Sequence, residues 1–237
     1  MTVVVSGASR GIGLALVEQY LSGGSEVIAI CRDPASAAGL DPLRASHSTL
    51  TVLRGDVSDP ASTAEVATAI GDKPVDLLLN VAGIANWEFK PEDIDFGTWA
   101  ASFDVMITGP FRMLVALLPN LERARGKIVS VSSQVGASDW AAGGFYSYGA
   151  AKAGLNRAMK SLAVDLHERG RRSSRIRQDR HGRPERRDQS RGKRARHQAG
   201  GGRSHPRCDW RLLQLERHDP RLVAPDWHHS RTSPENL

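Results

Sequence analysis

Tyr148 and Lys152 stand four residues apart in Tyr148-Gly149-Ala150-Ala151-Lys152. On a helix that spacing puts a phenol and an ammonium on one face. A free phenol is a poor acid at neutral pH, with a pKa of about 10. A cation beside it favours the phenolate and brings the proton towards the range useful in general acid–base catalysis. Tyr146 is six residues from Lys152 and off that face. Upstream, Ser130, Ser132 and Ser133 cluster at the end of an apolar run. Ser133 is the expected holder of a substrate oxygen, with Ser132 as the alternate. A Tyr–Lys pair on an exposed helix is commonplace, so this one gains meaning only from a second motif.

That motif is Ser6-Gly7-Ala8-Ser9-Arg10-Gly11-Ile12-Gly13, directly after Val3-Val4-Val5. A glycine-rich turn between a strand and a helix lets the backbone approach a pyrophosphate, and the helix N-terminus offers free N–H groups and a partial positive charge. Gly7, Gly11 and Gly13 make the turn, and Ser9, Arg10 and Ile12 complete the expected contact set. An acid after the second strand would favour NAD through the ribose 2′-hydroxyl. This chain has Cys31 and then Arg32, and with Arg10 two guanidinium groups suit a 2′-phosphate. NADP is the expected cofactor, with NAD possible. Asp56-Val57 ends the third strand, where a carboxylate could accept from an adenine amino group. Asn80, Ala82 and Gly83 end the fourth, where small residues leave room for a ribose. Lys152 could also reach the nicotinamide ribose.

These residues need a scaffold. Strands are expected near 2–6, 26–31, 49–54, 75–80 and 127–132. Helices are expected over 14–21, 62–70, 99–118 and 148–168, the last with Leu155, Met159, Leu162 and Leu166 on one side. Strands alternating with helices imply an α/β fold, a Rossmann-type doubly wound parallel sheet with helices on both faces.

After Gly170 the composition changes. Residues 1–170 hold 14 Lys/Arg against 18 Asp/Glu, whereas 171–237 hold 18 against 8. The net charge of +6 therefore averages a mildly acidic domain, 1–170, and an Arg-rich segment, 171–237. That segment reads as a disordered basic tail, as a nucleic-acid-binding arm, or as sequence translated out of frame. The third reading can be tested against codons. From Ser174 to Arg183, synonymous codons shifted by one base can read Pro-Gly-Phe-Gly-Arg-Thr-Asp-Met-Asp. Gln178 before Asp179 permits only Lys or Arg, and His181 before Gly182 only Met or Thr. Around Trp210 to Leu222 the shifted frame can read Gly-Val-Phe-Phe-Ser-Trp-Asn-Gly-Thr-Thr-Leu-Ala-Trp, which is apolar and strand-like, so an out-of-frame segment is the expected reading and the last strands are expected to be lost or disordered. The arginines lack interleaved aromatic residues, so nucleic acid is not the expected partner.

The first residues run straight into a strand-like segment, so no signal peptide is expected, and no apolar run is expected to span a bilayer. Cys31 and Cys208 cannot build a disulfide framework, and no metal site is expected. A cytoplasmic location fits.

Taken together, the Ser6–Gly13 loop, Asp56-Val57, Asn80–Gly83, Ser133, Tyr148 and Lys152 resemble the short-chain dehydrogenase/reductase family, most of all its C-factor and sniffer-like carbonyl reductases. The resemblance covers residues 1–170. It implies hydride transfer with NAD(P), a small carbonyl or alcohol substrate, Tyr148 as acid or base, and a homodimer or homotetramer built on helices near 99–118 and 148–168. Two departures stand out. Many members carry an asparagine that supports a proton-relay water where this chain has Met106. The family's Pro-Gly segment after the sixth strand is absent as printed and returns in the shifted frame, so the printed chain is expected to be impaired. Trp87, Phe89, Trp140 and Phe145 are expected near an apolar or aromatic substrate.

Overall fold

Val3, Val4 and Val5 are all fully buried, which only a central strand permits. The computed structural model describes residues 1–137 and 143–180, with side chains through 166. Strand β1 (Thr2–Ser6) lies in the middle of a five-stranded parallel sheet. The others are β2 (Glu26–Cys31), β3 (Leu50–Arg54), β4 (Leu77–Asn80) and β5 (Lys127–Ser130), in the order β3-β2-β1-β4-β5. The chain winds outward from β1 through β2 and β3, then returns to pair β4 on the other side of β1. That reversal makes the carboxyl ends of β1 and β4 the topological switch point, where doubly wound sheets hold ligands.

Alternating residues of β1 feed two separate cores. Val3 and Val5, with Val27, Ala29, Leu77 and Leu79, pack against Val17 and Leu21 of α1 (Gly11–Ser22). A 3₁₀ turn and the short helix α2 (Asp41–Ser46), which the sequence did not announce, cover the same face with Leu40 and Leu43. Val4, Ile28, Leu78 and Ile128 point the other way. They meet Val66 and Ile70 of α3 (Pro60–Ile70) and Met113, Leu117 and Leu121 of a later helix, α5 (Gly109–Ala124). Met159, Leu162 and Leu166 of α6 (Tyr146–Arg180) join that core, as their spacing foretold.

Helix starts follow local chemistry. Asp59 caps α3 by accepting from the Ala61 N–H at 3.0 Å, with Pro60 at the first position. Asp95 caps α4 (Phe96–Phe103) through the N–H groups of Gly97 and Thr98. The pattern expected over 99–118 is α4, a π turn (Asp104–Thr108) and α5 (Gly109–Ala124) in one helical run. By length and apolarity this run could cross a bilayer. Its buried face, Met113, Leu114, Leu117 and Leu121, instead lies on the sheet, as in the core helix of a globular domain.

Two other elements differ from the pattern. β5 stops at Ser130 rather than 132, because the Val131 carbonyl turns to accept from Lys152 Nζ. Helix α6 spans Tyr146–Arg180, beyond the expected 148–168. Among the described residues the sheet has five strands, with β3 and β5 at its edges. The Arg-rich segment beyond 180, with its expected loss of strands, and Trp140 lie outside the described residues.

Candidate active site

At the switch point the backbone itself shapes a cradle. Gly7 has φ of +71°, and a Cβ there would lie 2.7 Å from the Ala82 Cα, so the loop after β1 rests directly on the loop after β4. A Cβ on Gly13 would lie 2.2 Å from the Gly7 carbonyl oxygen, which fixes the approach of α1 to the turn. Gly11 differs: a Cβ there would meet nothing within 4 Å. Arg10, the residue before α1, makes no side-chain cap, and the first turn carries no acid. The helix thus presents uncapped N–H groups and its positive dipole end to open space. Ser9 flanks this mouth, and Arg10, Gly11 and Ile12 are exposed there. The arrangement fits a pyrophosphate.

The neighbouring strand ends extend the cradle. Arg32 is exposed beyond the end of β2. The adjacent Asp33 carboxylate is turned into its own loop, accepting from the Ser36 hydroxyl at 2.7 Å and the Ala35 N–H at 3.1 Å. Those bonds hold its carboxyl below the usual range. Asp56 Oδ1 accepts from the Ser58 N–H and hydroxyl at 2.9 and 2.6 Å. Burial pushes the Asp56 carboxyl up, but the Ser58 bonds and the charges of Arg32 and Arg112 outweigh it, so the carboxyl sits low and ionised. Val57 is buried below it and in the core. Asn80 is buried; its Nδ2 donates to Ser130 Oγ at 3.3 Å, while Oδ1 has no partner among the described residues. An unmatched buried acceptor beside Ala82 and Gly83 is a departure that calls for a function.

The second half of the site is made of side chains. Tyr148 and Lys152 share one face of α6, and Lys152 Nζ lies 5.6 Å from the Tyr148 ring centroid. Lys152 is 4% exposed and donates to the Val131 carbonyl at 2.7 Å. Burial lowers its pKa to about 8. A 3₁₀ turn (Gln134–Gly136) begins after Ser133 and lies hard against α6: a Cβ on Gly136 would come 2.7 Å from the Lys152 main chain. Ser132 Oγ donates to Asn156 Oδ1 at 2.6 Å, so its hydroxyl faces the helix. Ser133 has no such engagement as a cap.

An aromatic wall stands over the phenol. The Trp87 ring stacks on Tyr148 at 6.4 Å and meets Phe145 edge-on at 5.3 Å, and Phe89 lies 6.1 Å from Phe145. Trp87 and Phe89 are strongly exposed. Between them Glu88 points inward and is buried, accepting from the Ser147 hydroxyl and N–H. Asn86 donates to Ser102 and Ser147. Sequence reasoning missed this polar cluster. Its one signal was Trp87-Glu88-Phe89, where alternation in an extended segment sets the acid opposite two rings. Met106 lies in the π turn, buried, with its sulfur towards Gly83.

A parallel, doubly wound sheet with a glycine cradle at its switch point defines a dinucleotide-binding α/β domain of the Rossmann type. The chain belongs to the short chain dehydrogenase family, which it matches over residues 1–177. It is 32% identical over 176 residues to a short chain dehydrogenase of Pseudocercospora fijiensis, covering 71% of this chain but only 56% of that protein. Among solved structures it resembles the carbonyl reductase Sniffer of D. melanogaster, with a TM-score of 0.66 at 26% identity, covering 70% of this chain and 75% of that one. It also resembles the NADPH-bound carbonyl reductase from chicken fatty liver, with a TM-score of 0.65 at 29% identity over 70% and 74% of the two chains. Enzymes of this family are NAD(P)-dependent oxidoreductases.

Proposed function

We propose that this chain is an NADP-dependent oxidoreductase that interconverts a small carbonyl compound and its alcohol. One observation carries the reading: a buried lysine and a tyrosine lie on one helical turn, beside a cradle suited to a dinucleotide. The bound nicotinamide would supply the hydride. Gly7, Ser9, Gly11, Ile12 and Gly13 would hold the pyrophosphate. Arg10 and Arg32 would hold a 2′-phosphate, since the Asp33 carboxylate is engaged in its own turn. Asp56 and Val57 would border the adenine, and Asn80, Ala82 and Gly83 the adenosine ribose.

In reduction, the Ser133 hydroxyl donates a hydrogen bond to the carbonyl oxygen. The Tyr148 hydroxyl would give its proton to that oxygen, which would leave the product as a neutral alcohol. Lys152 steadies the phenolate left behind and can bind the nicotinamide ribose. Its Nζ is oriented by the Val131 carbonyl. The Met106 thioether is only a weak acceptor and no donor, so it would hold a relay water more weakly than an amide side chain. The wall of Trp87, Phe89 and Phe145 favours an apolar or aromatic carbonyl compound. Two structural neighbours, both carbonyl reductases and one with NADPH bound, support the same choice.

The same reading includes a homodimer or homotetramer, supported by exposed Phe96 and Val115 on α4 and α5. It also treats residues 171–237 as out of frame, supported by a family match that ends at 177. The nucleotide sequence across codons 168–176 tests that point, and a single uninterrupted reading frame shared by related genes would refute it.

The functional test is NADPH oxidation with a panel of aromatic aldehydes and ketones, alongside NADPH and NADH binding by fluorescence. Tighter binding of NADPH and aldehyde-dependent oxidation are expected. Failure to bind either nucleotide would overturn the reading.

A further inference from the structure

Helix α6 begins after a residue that cannot cap it. The Phe145 carbonyl accepts from the Gly149 N–H at 2.6 Å, which makes Phe145 the residue before the helix, and a phenyl ring offers no acceptor to the free N–H groups of the first turn. Among the described residues Phe145 is also one of two non-glycine residues with positive φ, at 55°. Such a conformation persists in a bulky residue only where its surroundings impose it.

Glu88 supplies what Phe145 lacks. Its carboxylate accepts from the Ser147 N–H at 3.4 Å and from the Ser147 hydroxyl, and its carbonyl accepts from the Phe145 N–H at 2.7 Å. The acid is 6% exposed, and no salt bridge among the described residues includes it. The helix dipole and these donors are its compensation. The network continues outward. The Ser147 hydroxyl accepts from Asn86 Nδ2 at 3.5 Å, Asn86 also donates to Ser102 Oγ at 2.7 Å, and Ser102 donates to the Thr98 carbonyl at 2.9 Å. One loop is thereby tied to both α4 and the first turn of α6.

We propose that Glu88 is a positioning residue: it caps α6 from a distant loop and so fixes the turn that carries Tyr148, with Trp87 held over the phenol. Its effect on turnover rests on the oxidoreductase reading; the clamp itself does not.

The test uses the full chain and its Glu88→Ala, Glu88→Gln and Ser147→Ala variants. Amide hydrogen exchange is read at Ser147 and Tyr148, with NADPH affinity and the kcat and KM for NADPH-dependent reduction of 4-nitrobenzaldehyde. In Glu88→Ala, exchange should accelerate and kcat fall by about tenfold or more, the scale of losing hydrogen bonds to a charged acceptor. NADPH affinity should stay within about twofold, because the cradle is built on α1. Glu88→Gln keeps an acceptor for the N–H and should recover most of both losses. Ser147→Ala removes only the hydroxyl and should accelerate exchange less, which keeps the test open if Glu88→Ala does not fold. Ile70→Ala in the α3 core should lower Tm while leaving exchange at Ser147 and kcat unchanged. Wild-type exchange in both Glu88→Ala and Ser147→Ala would overturn the clamp, whatever the turnover. Tyr148→Phe reducing the aldehyde at the wild-type rate would instead overturn the reaction reading and leave the exchange result standing.

Discussion

The two halves of the site are built from different materials. The half proposed to hold the cofactor is backbone: Gly7 against Ala82, Gly13 against the Gly7 carbonyl, and an uncapped helix start. The half proposed for catalysis is side chain, with Lys152 held by the Val131 carbonyl, Tyr148 one turn before it, Ser133's turn packed on Lys152, and the start of α6 bonded by Glu88. A backbone cradle has no room for an added Cβ at Gly7 or Gly13 but depends on few partners. A side-chain site depends on partners far away in sequence, so it can be loosened without touching the fold.

The contrast can be broken in several ways. The largest effect should come from Tyr148→Phe, which removes the proton donor and should lower carbonyl reduction by about 10²–10⁴-fold while NADPH still binds, the usual range for general acid catalysis. Steady-state rates and fluorescence titration on one preparation check it. Gly13→Ala should do the reverse. With a Cβ only 2.2 Å from a carbonyl oxygen the turn must shift, so NADPH binding should fail while Tyr148 and Lys152 keep their places. Arg32→Ala should weaken NADPH by about tenfold and leave NADH nearly unchanged, the scale of one charge-assisted hydrogen bond. Equal losses for both nucleotides would remove Arg32 from the 2′-phosphate site.

Lys152 sets the pH dependence. Its pKa in the folded chain is about 8, below the ordinary value of 10.5. The unfolded chain therefore binds more protons between those values, and folding stability should rise from about pH 8 to 10.5, by at most about 3 kcal/mol. Activity should move oppositely. The ammonium is present below pH 8 and lost above it, so carbonyl reduction should decline as Lys152 deprotonates. Denaturant melts and rates across that range separate the two, and Lys152→Met should flatten the stability change.

Much of the cofactor half was legible because its information is local. Val3-Val4-Val5 followed by Gly7, Gly11 and Gly13 specifies strand, turn and helix within a dozen residues, and the switch point follows from alternating strands and helices. The closeness of Tyr148 and Lys152 was legible for the same reason, since they lie within one turn; their proposed catalytic role is what Tyr148→Phe tests. Glu88 was not, because its partner Ser147 is 59 residues away and nothing in either neighbourhood names the other. The end of β5 at Ser130 was hidden likewise, since it depends on Lys152 claiming the Val131 carbonyl. The π turn at Asp104–Thr108 breaks a pattern whose apolar period runs on through it.

The account turns on an ammonium sheltered from water beside a phenol. Selective ¹³C labelling of lysine, with Lys152 assigned through Lys152→Met, gives its titration directly. A midpoint near 8 is predicted. A midpoint at the ordinary lysine value would place the amine in solvent and contradict the site described above.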